Sequence, residues 1–204
     1  REAKLMEKQL IISVGREYGS GGHEIAERLS KHDGIQLLDH NLLDEIAADK
    51  NLDMQDLRGL DEKHRNRLAS RTVRGYSSSP EENLYLLQFE HLINKAEAGE
   101  SFVIVGRCSE TILKEYSSMI SIFVLGDRDK KIERIMRLYQ LSEEQAERRM
   151  REKDMKRRRY HNGHCDRKWG ESRNYDISIN SSRLGVDGTA ALLAYYIDER
   201  RATK

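Results

Sequence analysis

A chain of 204 residues and 23.7 kDa has the size of one compact domain, and several independent domains are not expected. Its formal charge is +1, from 36 basic and 35 acidic residues, so wholesale attraction to nucleic acid is not expected, and two cysteines, Cys108 and Cys165, are too few for a disulfide framework. The apolar runs fall far below the ~20 residues of a membrane-spanning helix, and the charged amino-terminal stretch is not shaped like a signal peptide; a soluble, cytoplasmic protein without membrane partners is expected.

Short β-branched runs alternate with longer amphipathic stretches, the pattern of an α/β protein with a parallel sheet covered by helices. Leu10 to Val14 reads as a first strand, followed by a glycine-rich turn and a helix over 22–31 with Ile25, Ala26 and Leu29 on one face. Ile35 to Leu38 is a short second strand, and Asp39 or Asn41 caps a helix carrying Leu42, Leu43, Ile46 and Ala47. Residues 52–74 are helical in pattern but highly charged, and the Ser-rich break 75–80, with the only proline, reads as a loop. Glu81 to Ala98 is a helix ended by Gly99. Phe102 to Val105, a continuous apolar run, is expected as a central strand, and Ser121 to Leu125 as another. A helix over 128–139 follows, and then Ser142 and Gln145 form a capping pattern ahead of a long basic helix reaching about Tyr160. Ile177 to Ile179 is the last of five strands, and Val186 to Arg200 the closing helix.

The stretch from Val14 to His23, VGREYGSGGH, stands between the first strand and the first helix. A turn of this kind aims backbone N–H groups and a helix N-terminus at one point, which suits a phosphate. Against the standard P-loop, Gly22 stands where the lysine belongs and His23 where a Ser or Thr holds magnesium. The alternative is a tight turn whose glycines only permit close packing. Arg107, just past the carboxyl end of the Phe102 strand, sits where open α/β sheets bind ligands and has the planar fork for a bidentate grip on phosphate; an ordinary salt bridge is the other reading.

From Arg148 to Arg159 there are eight basic and two acidic residues, a local excess of six in a chain whose total is +1. Arginines on a moving segment stabilise the charge of phosphoryl transfer, although this many cations cannot all reach one substrate; a solvated surface helix and an RNA patch are the alternatives, the latter with few aromatics beyond Tyr160 and Trp169. In His161-Asn162-Gly163-His164-Cys165 the adjacent His164 and Cys165 are poorly spaced to supply two zinc donors, so a metal site is not expected there. No nucleophile-elbow pattern supports a hydrolase.

Taken together, SVGREYGSGGHEIA at Ser13 to Ala26, VIVGRC at Val103 to Cys108 and WGESRNYDISINSSRLGVD at Trp169 to Asp187 resemble the cytidylate kinase-like family of P-loop proteins. The resemblance runs from about Ile11 to Ile197. It implies a single-domain, three-layer P-loop kinase fold with a five-stranded parallel sheet, a helical acceptor-binding region over 41–80 and a basic lid over 142–174. It also implies ATP and Mg2+ as cofactors and transfer of the γ-phosphoryl to a nucleoside monophosphate, most plausibly CMP or dCMP. By that resemblance Gly19, Ser20, Gly21, Gly22 and His23 cradle the donor phosphates. Arg107 holds the acceptor phosphate, with Cys108 in place of the family's aspartate, and Asp39 and Asp154 belong to the acceptor side. Arg151, Asp154 and Arg157 fall at the spacing of the lid motif, Lys153 standing at its first aspartate, and Asn180-Ser181-Ser182 parallels the Asp-Thr-Ser of the last strand. With the loop lysine absent, Arg16 and Arg157 are expected to replace it jointly, and with Arg151 they are the candidate catalytic cations. The sequence assigns no magnesium ligand; Asp127 and Asp129 are the only acidic side chains that suggest themselves. Two other readings stay open: a degenerate nucleotide-binding module without transfer, and a kinase for an unrelated small-molecule acceptor.

Overall fold

The computed structural model describes residues 9–39, 41–50, 72–73, 76–77 and 80–203. Five strands form one parallel sheet: β1 (Ile11–Arg16), β2 (Gln36–Leu38), β3 (Phe102–Val105), β4 (Met119–Leu125) and β5 (Ile177–Asn180). Their order is β2-β3-β1-β4-β5, with Ile11 opposite both Phe102 and Met119. Parallel neighbours need crossover connections. These are supplied by α1 (Gly22–Asp33), α2 (Asn41–Lys50), α3 (Pro80–Glu97), the single turn α4 (Ser109–Ile112), α5 (Arg128–Tyr139), α6 (Glu143–His164) and α7 (Gly185–Ala202). No helix among the described residues is long and apolar enough to cross a membrane.

Alternation along the inner strands explains the three layers. Ile12, Val14, Val103, Val105, Ile122 and Val124 face one side, where Ile25 and Leu29 of α1 and Leu193 and Ile197 of α7 cover them. Ile11, Phe102 and Ile104 face the other, against Leu42 and Ile46 of α2 and Leu84 and Leu92 of α3. Because both faces are buried, β1 and β3 read as continuous apolar runs rather than alternating ones. The polar residue within these runs, Ser13, is fully buried and satisfied by Ser109 Oγ at 2.7 Å. A third, smaller cluster joins Ile132 and Ile135 of α5 to Ala146 and Met150 of α6, with Tyr18 and Leu141 against it. It packs the basic helix against α5 and Tyr18.

Helix ends follow local chemistry. Ser142 Oγ accepts the Gln145 N–H and Gln145 Oε1 accepts the Ser142 N–H, a reciprocal cap that starts α6. Pro80 opens α3, where its missing N–H costs nothing. Two expectations are corrected. Helix does not extend through Thr72 and Val73, since Thr72–Val73 pairs antiparallel with Tyr76–Ser77 in a two-residue ribbon that also occupies part of the expected loop. β-Branched Thr72 and Val73 favour extended backbone. The basic helix runs on to His164, past Tyr160. The expected acceptor-region helix over 52–71 lies outside the described residues.

Candidate functional site

The carboxyl ends of β1, β2 and β3 open on one side, beneath the middle of α6. Beyond β1 the chain turns through Gly19 (φ 86°) and Gly21 (φ 78°) into α1, conformations that side chains resist. The turn is held from three directions. Ser181 Oγ donates to the carbonyl of Ser20 at 2.6 Å, Ser20 Oγ donates to the carbonyl of Glu17 at 2.8 Å, and the Tyr18 N–H donates to Asp154 Oδ1 at 2.7 Å. Glu17 Oε2 accepts from Lys131 Nζ at 2.8 Å and from the Gly126 N–H at 3.1 Å. Lys131 is only 7% exposed, so an ammonium does stand beside the loop, contributed by α5 rather than by the loop itself.

Arg16, the last residue of β1, crowds the position where the lysine of a standard loop would stand. Its Cβ stands 2.5 Å and its Cγ 3.0 Å from where a side chain on Gly22 would begin, so a side chain there must displace the loop or Arg16. The Arg16 guanidinium reaches across to the backbone of Gly106, where a Cβ would collide with Nη1. Its Nε is sealed from solvent and has no hydrogen-bond partner among the described residues. Burial, and then the neighbouring Arg157, push Arg16 down to about 9; Asp39 and Asp154 partly offset this and Arg107 adds to it. Three guanidinium groups therefore converge against two carboxylates.

The other members arrive from separate elements. Asp39 directly follows β2 and is 3.1 Å from His23 Nδ1, and this bond to Asp39, against some desolvation, raises His23 above its ordinary value. Arg107 and Cys108 both adopt left-handed backbone (φ 60° and 57°) directly after Gly106 (φ 77°), a run of strained residues that turns β3 sharply into α4. Arg107 Nη1 reaches Gln88 Oε1 of α3 at 3.5 Å. From α6, Arg157 Nη1 donates to the carbonyl of Arg16 at 3.3 Å and lies over the Tyr18 ring, while Arg149 Nε donates to the Tyr18 hydroxyl at 2.8 Å. Burial holds Arg157 below its ordinary value and Asp154 above its own.

The structure thus brings together Arg16, His23, Asp39, Arg107, Asp154 and Arg157. Gly19 and Ser20 form the adjacent turn, with Gly21 and Gly22 leading into α1. Arg151 stands apart: it is 70% exposed and pairs with Glu147. Asp154 faces the turn, using one oxygen on the Tyr18 amide and lying near Lys131 and Arg157 with its carboxylate. Asp129 is 83% exposed beside Arg128, and Asp127 is taken up by Asn180 Nδ2 at 2.7 Å at the start of α5. Sequence reasoning missed Lys131, which sits among Lys130 and Glu133 like any surface charge, and Gly106, whose importance lies in what passes over it. Beside the turn, between α5 and the loop after β5, is a cavity of about 310 Å³ lined by Gly19, Ser20, Arg134, Ser181, Ser182 and Val186.

The signature of the cytidylate kinase-like family matches residues 11–183. Among curated proteins none matches. An uncharacterized protein from Eubacterium ventriosum is similar at 38% identity over 93% of this chain and 99% of its own, with a TM-score of 0.74. Shikimate kinases share the fold. That from Bacteroides thetaiotaomicron is 12% identical over 93% of this chain and 98% of its own (TM-score 0.54), and that from Aquifex aeolicus 14% identical over 96% and 100% (TM-score 0.50). The chain belongs to the cytidylate kinase-like family of P-loop kinases, and that membership implies a nucleotide ligand.

Proposed function

We propose that this member of the cytidylate kinase-like family transfers the γ-phosphoryl of ATP to a nucleoside monophosphate, CMP or dCMP being the first acceptors to test. The observation that carries the reading is the convergence of Arg16, Arg107 and Arg157 at the carboxyl ends of β1 and β3, with Arg16 buried, pushed down to about 9 and missing a partner at Nε. A buried cation cluster with only partial compensation is stabilised by an anion, and most by the anion whose charge spreads over several oxygens. The 310 Å³ cavity beside Gly19 and Ser20 has the volume of a small-ligand site and suits the base and ribose of the donor.

In this reading an oxygen of the acceptor phosphate attacks the γ-phosphorus and the bond to the bridging oxygen breaks, with no covalent enzyme intermediate. Arg107 orients the acceptor. Arg16 and Arg157 lie against the transferring group from two sides and do the work of the absent loop lysine, while Tyr18 and Asp154 hold α6 over the reaction and exclude water. Magnesium binds through one or two carboxylates plus phosphate oxygens and water, and buried Asp39, at the mouth of the site, suits that donor set. When bound, the ion neutralises phosphate charge.

The test is incubation with ATP, magnesium and each nucleoside monophosphate in turn, with diphosphate formation as readout. Turnover of one acceptor that falls at least about 100-fold in Arg16→Met and Arg157→Met supports the reading. Turnover unchanged by both substitutions sinks it. The engagement of the Tyr18 amide by Asp154 favours one second reading, a nucleotide-binding module held closed by α6. Thermal stabilisation by ATP with no acceptor turned over would select it.

A further inference from the structure

Three potential metal donors meet at the carboxyl end of α6, with a fourth, Cys108, beside them. Cys165 is the residue that caps α6, its N–H donating to the His161 carbonyl at 2.8 Å. Glu110, on α4, faces them: its Oε1 lies 2.6 Å from His161 Nε2, and the donor atoms of Glu110, His161 and Cys165 all lie within 4.8 Å of one another. Cys108, at the strained turn beyond β3, neighbours Cys165 but stands outside that 4.8 Å group. Glu110, His161 and Cys108 are buried, at 4%, 4% and 2% exposure.

We propose that Glu110, His161 and Cys165 form a binding site for a thiophilic divalent cation, zinc being the best match, with neighbouring Cys108 drawn in as the fourth ligand. Two thiolates, an imidazole and a carboxylate are a tetrahedral zinc donor set, and hard cations such as magnesium and calcium avoid sulfur. The histidine is already oriented: its second nitrogen, Nδ1, lies 3.3 Å from Asn162 Oδ1, which also accepts the Trp169 N–H at 2.8 Å. An outer-shell partner of this kind holds the ring with Nε2 toward the site, and a bound metal displaces to solvent the proton that Nε2 and Glu110 now share. A contact of 2.6 Å between Nε2 and Oε1 is shorter than two ligands at ~2.0–2.2 Å from one tetrahedral ion would stand, so filling requires the pair to part by less than about 1 Å. His164, the histidine next to Cys165 in sequence, is engaged elsewhere, its Nδ1 on the Tyr160 carbonyl and its ring stacked on Tyr85. The donors join the carboxyl end of the lid helix to the turn that carries Arg107. A cation there ties the lid's base to the acceptor side of the site.

The test is a cobalt titration of the full chain after reduction and chelation. We expect one equivalent of Co2+ with a sulfur-to-cobalt charge-transfer band and the visible bands of a tetrahedral site, displaced by one equivalent of zinc. Cys165→Ser or His161→Gln removes the signal, Cys108→Ser weakens the charge-transfer band, and Asn162→Ala lowers affinity roughly 10- to 100-fold. The His32, Asp33 and Asp198 cluster lacks sulfur, so binding there gives no charge-transfer band. A folded wild-type chain with no such band overturns the proposal whatever the variants do. So does a band unchanged in Cys165→Ser, or a Cys108–Cys165 disulfide that forms equally fast with saturating zinc present.

Discussion

The shared space of Arg16 and Gly22 gives a prediction whose size can be worked from the structure. Gly22→Ala places a Cβ 2.5 Å from Arg16 Cβ and 3.0 Å from its Cγ, about 1 Å inside ordinary contact. Arg16 Cβ is fixed to the backbone of β1 and cannot swing aside, so the loop itself must shift. Overpacking of this kind costs about 1–3 kcal/mol. Gly22 is the first residue of α1, and exchanging helical glycine for alanine returns up to ~1 kcal/mol. The expected net loss is about 1–2 kcal/mol, or roughly 2–8 °C in Tm at the usual 2–4 °C per kcal/mol for a chain of this size. In an Arg16→Gly background the obstructing atoms are gone, and the same Gly22→Ala change becomes neutral or stabilising. Urea unfolding of the four species of the cycle measures the difference, expected at about 1–3 kcal/mol of coupling. The pair Arg16→Gly with Gly22→Lys then restores a loop lysine and, with it, ATP-dependent thermal stabilisation that Gly22→Lys alone lacks. Equal cost of Gly22→Ala in both backgrounds would refute the argument that arginine has taken the lysine's room.

Other expectations follow from the site. Arg151→Ala changes turnover less than about threefold whereas Arg157→Met lowers it about 100-fold or more, because the first side chain is 70% exposed and the second lies against Arg16 and Tyr18; steady-state kinetics on the preferred acceptor distinguishes them. Arg16, held at about 9, is charged at neutral pH, and a bound triphosphate favours its charged form. ATP affinity is therefore full below pH 9 and declines as pH rises above it, by up to about tenfold per pH unit, with proton uptake on binding near pH 9. Calorimetry in two buffers of different ionisation enthalpy reads this, and proton release would contradict it. Ser181→Ala removes the 2.6 Å bond to the Ser20 carbonyl and the 3.1 Å bond to the Leu125 carbonyl, and is expected to cost about 1–2 kcal/mol in denaturant unfolding and to weaken ATP binding.

The parallel sheet was legible because strands buried on both faces leave an unmistakable mark: Phe102 to Val105 has no polar residue to offer solvent, and it lies inside the sheet. The start of α6 was equally legible, since Ser142 and Gln145 cap it through bonds that span three residues. Local chemistry likewise marked the glycine turn and its position before α1. Where the reading failed, the cause was strand pairing, which periodicity does not record. Thr72 and Val73 sit in a charged stretch of helical pattern, and only their pairing with Tyr76 and Ser77 selects extended backbone.

Sequence alone determined the three-layer architecture, the family, and the presence of cations opposite a glycine turn, because these depend on periodicity and on motifs written in consecutive residues. Tertiary structure decided which cations count. It set Arg16 and Arg157 side by side from positions 141 residues apart, left Arg151 on the surface, brought in Lys131, and gathered Cys108 and Glu110 to His161 and Cys165. Distance through space is the quantity that electrostatics and coordination obey, and a linear order of residues fixes it only after the sheet and its helices have closed.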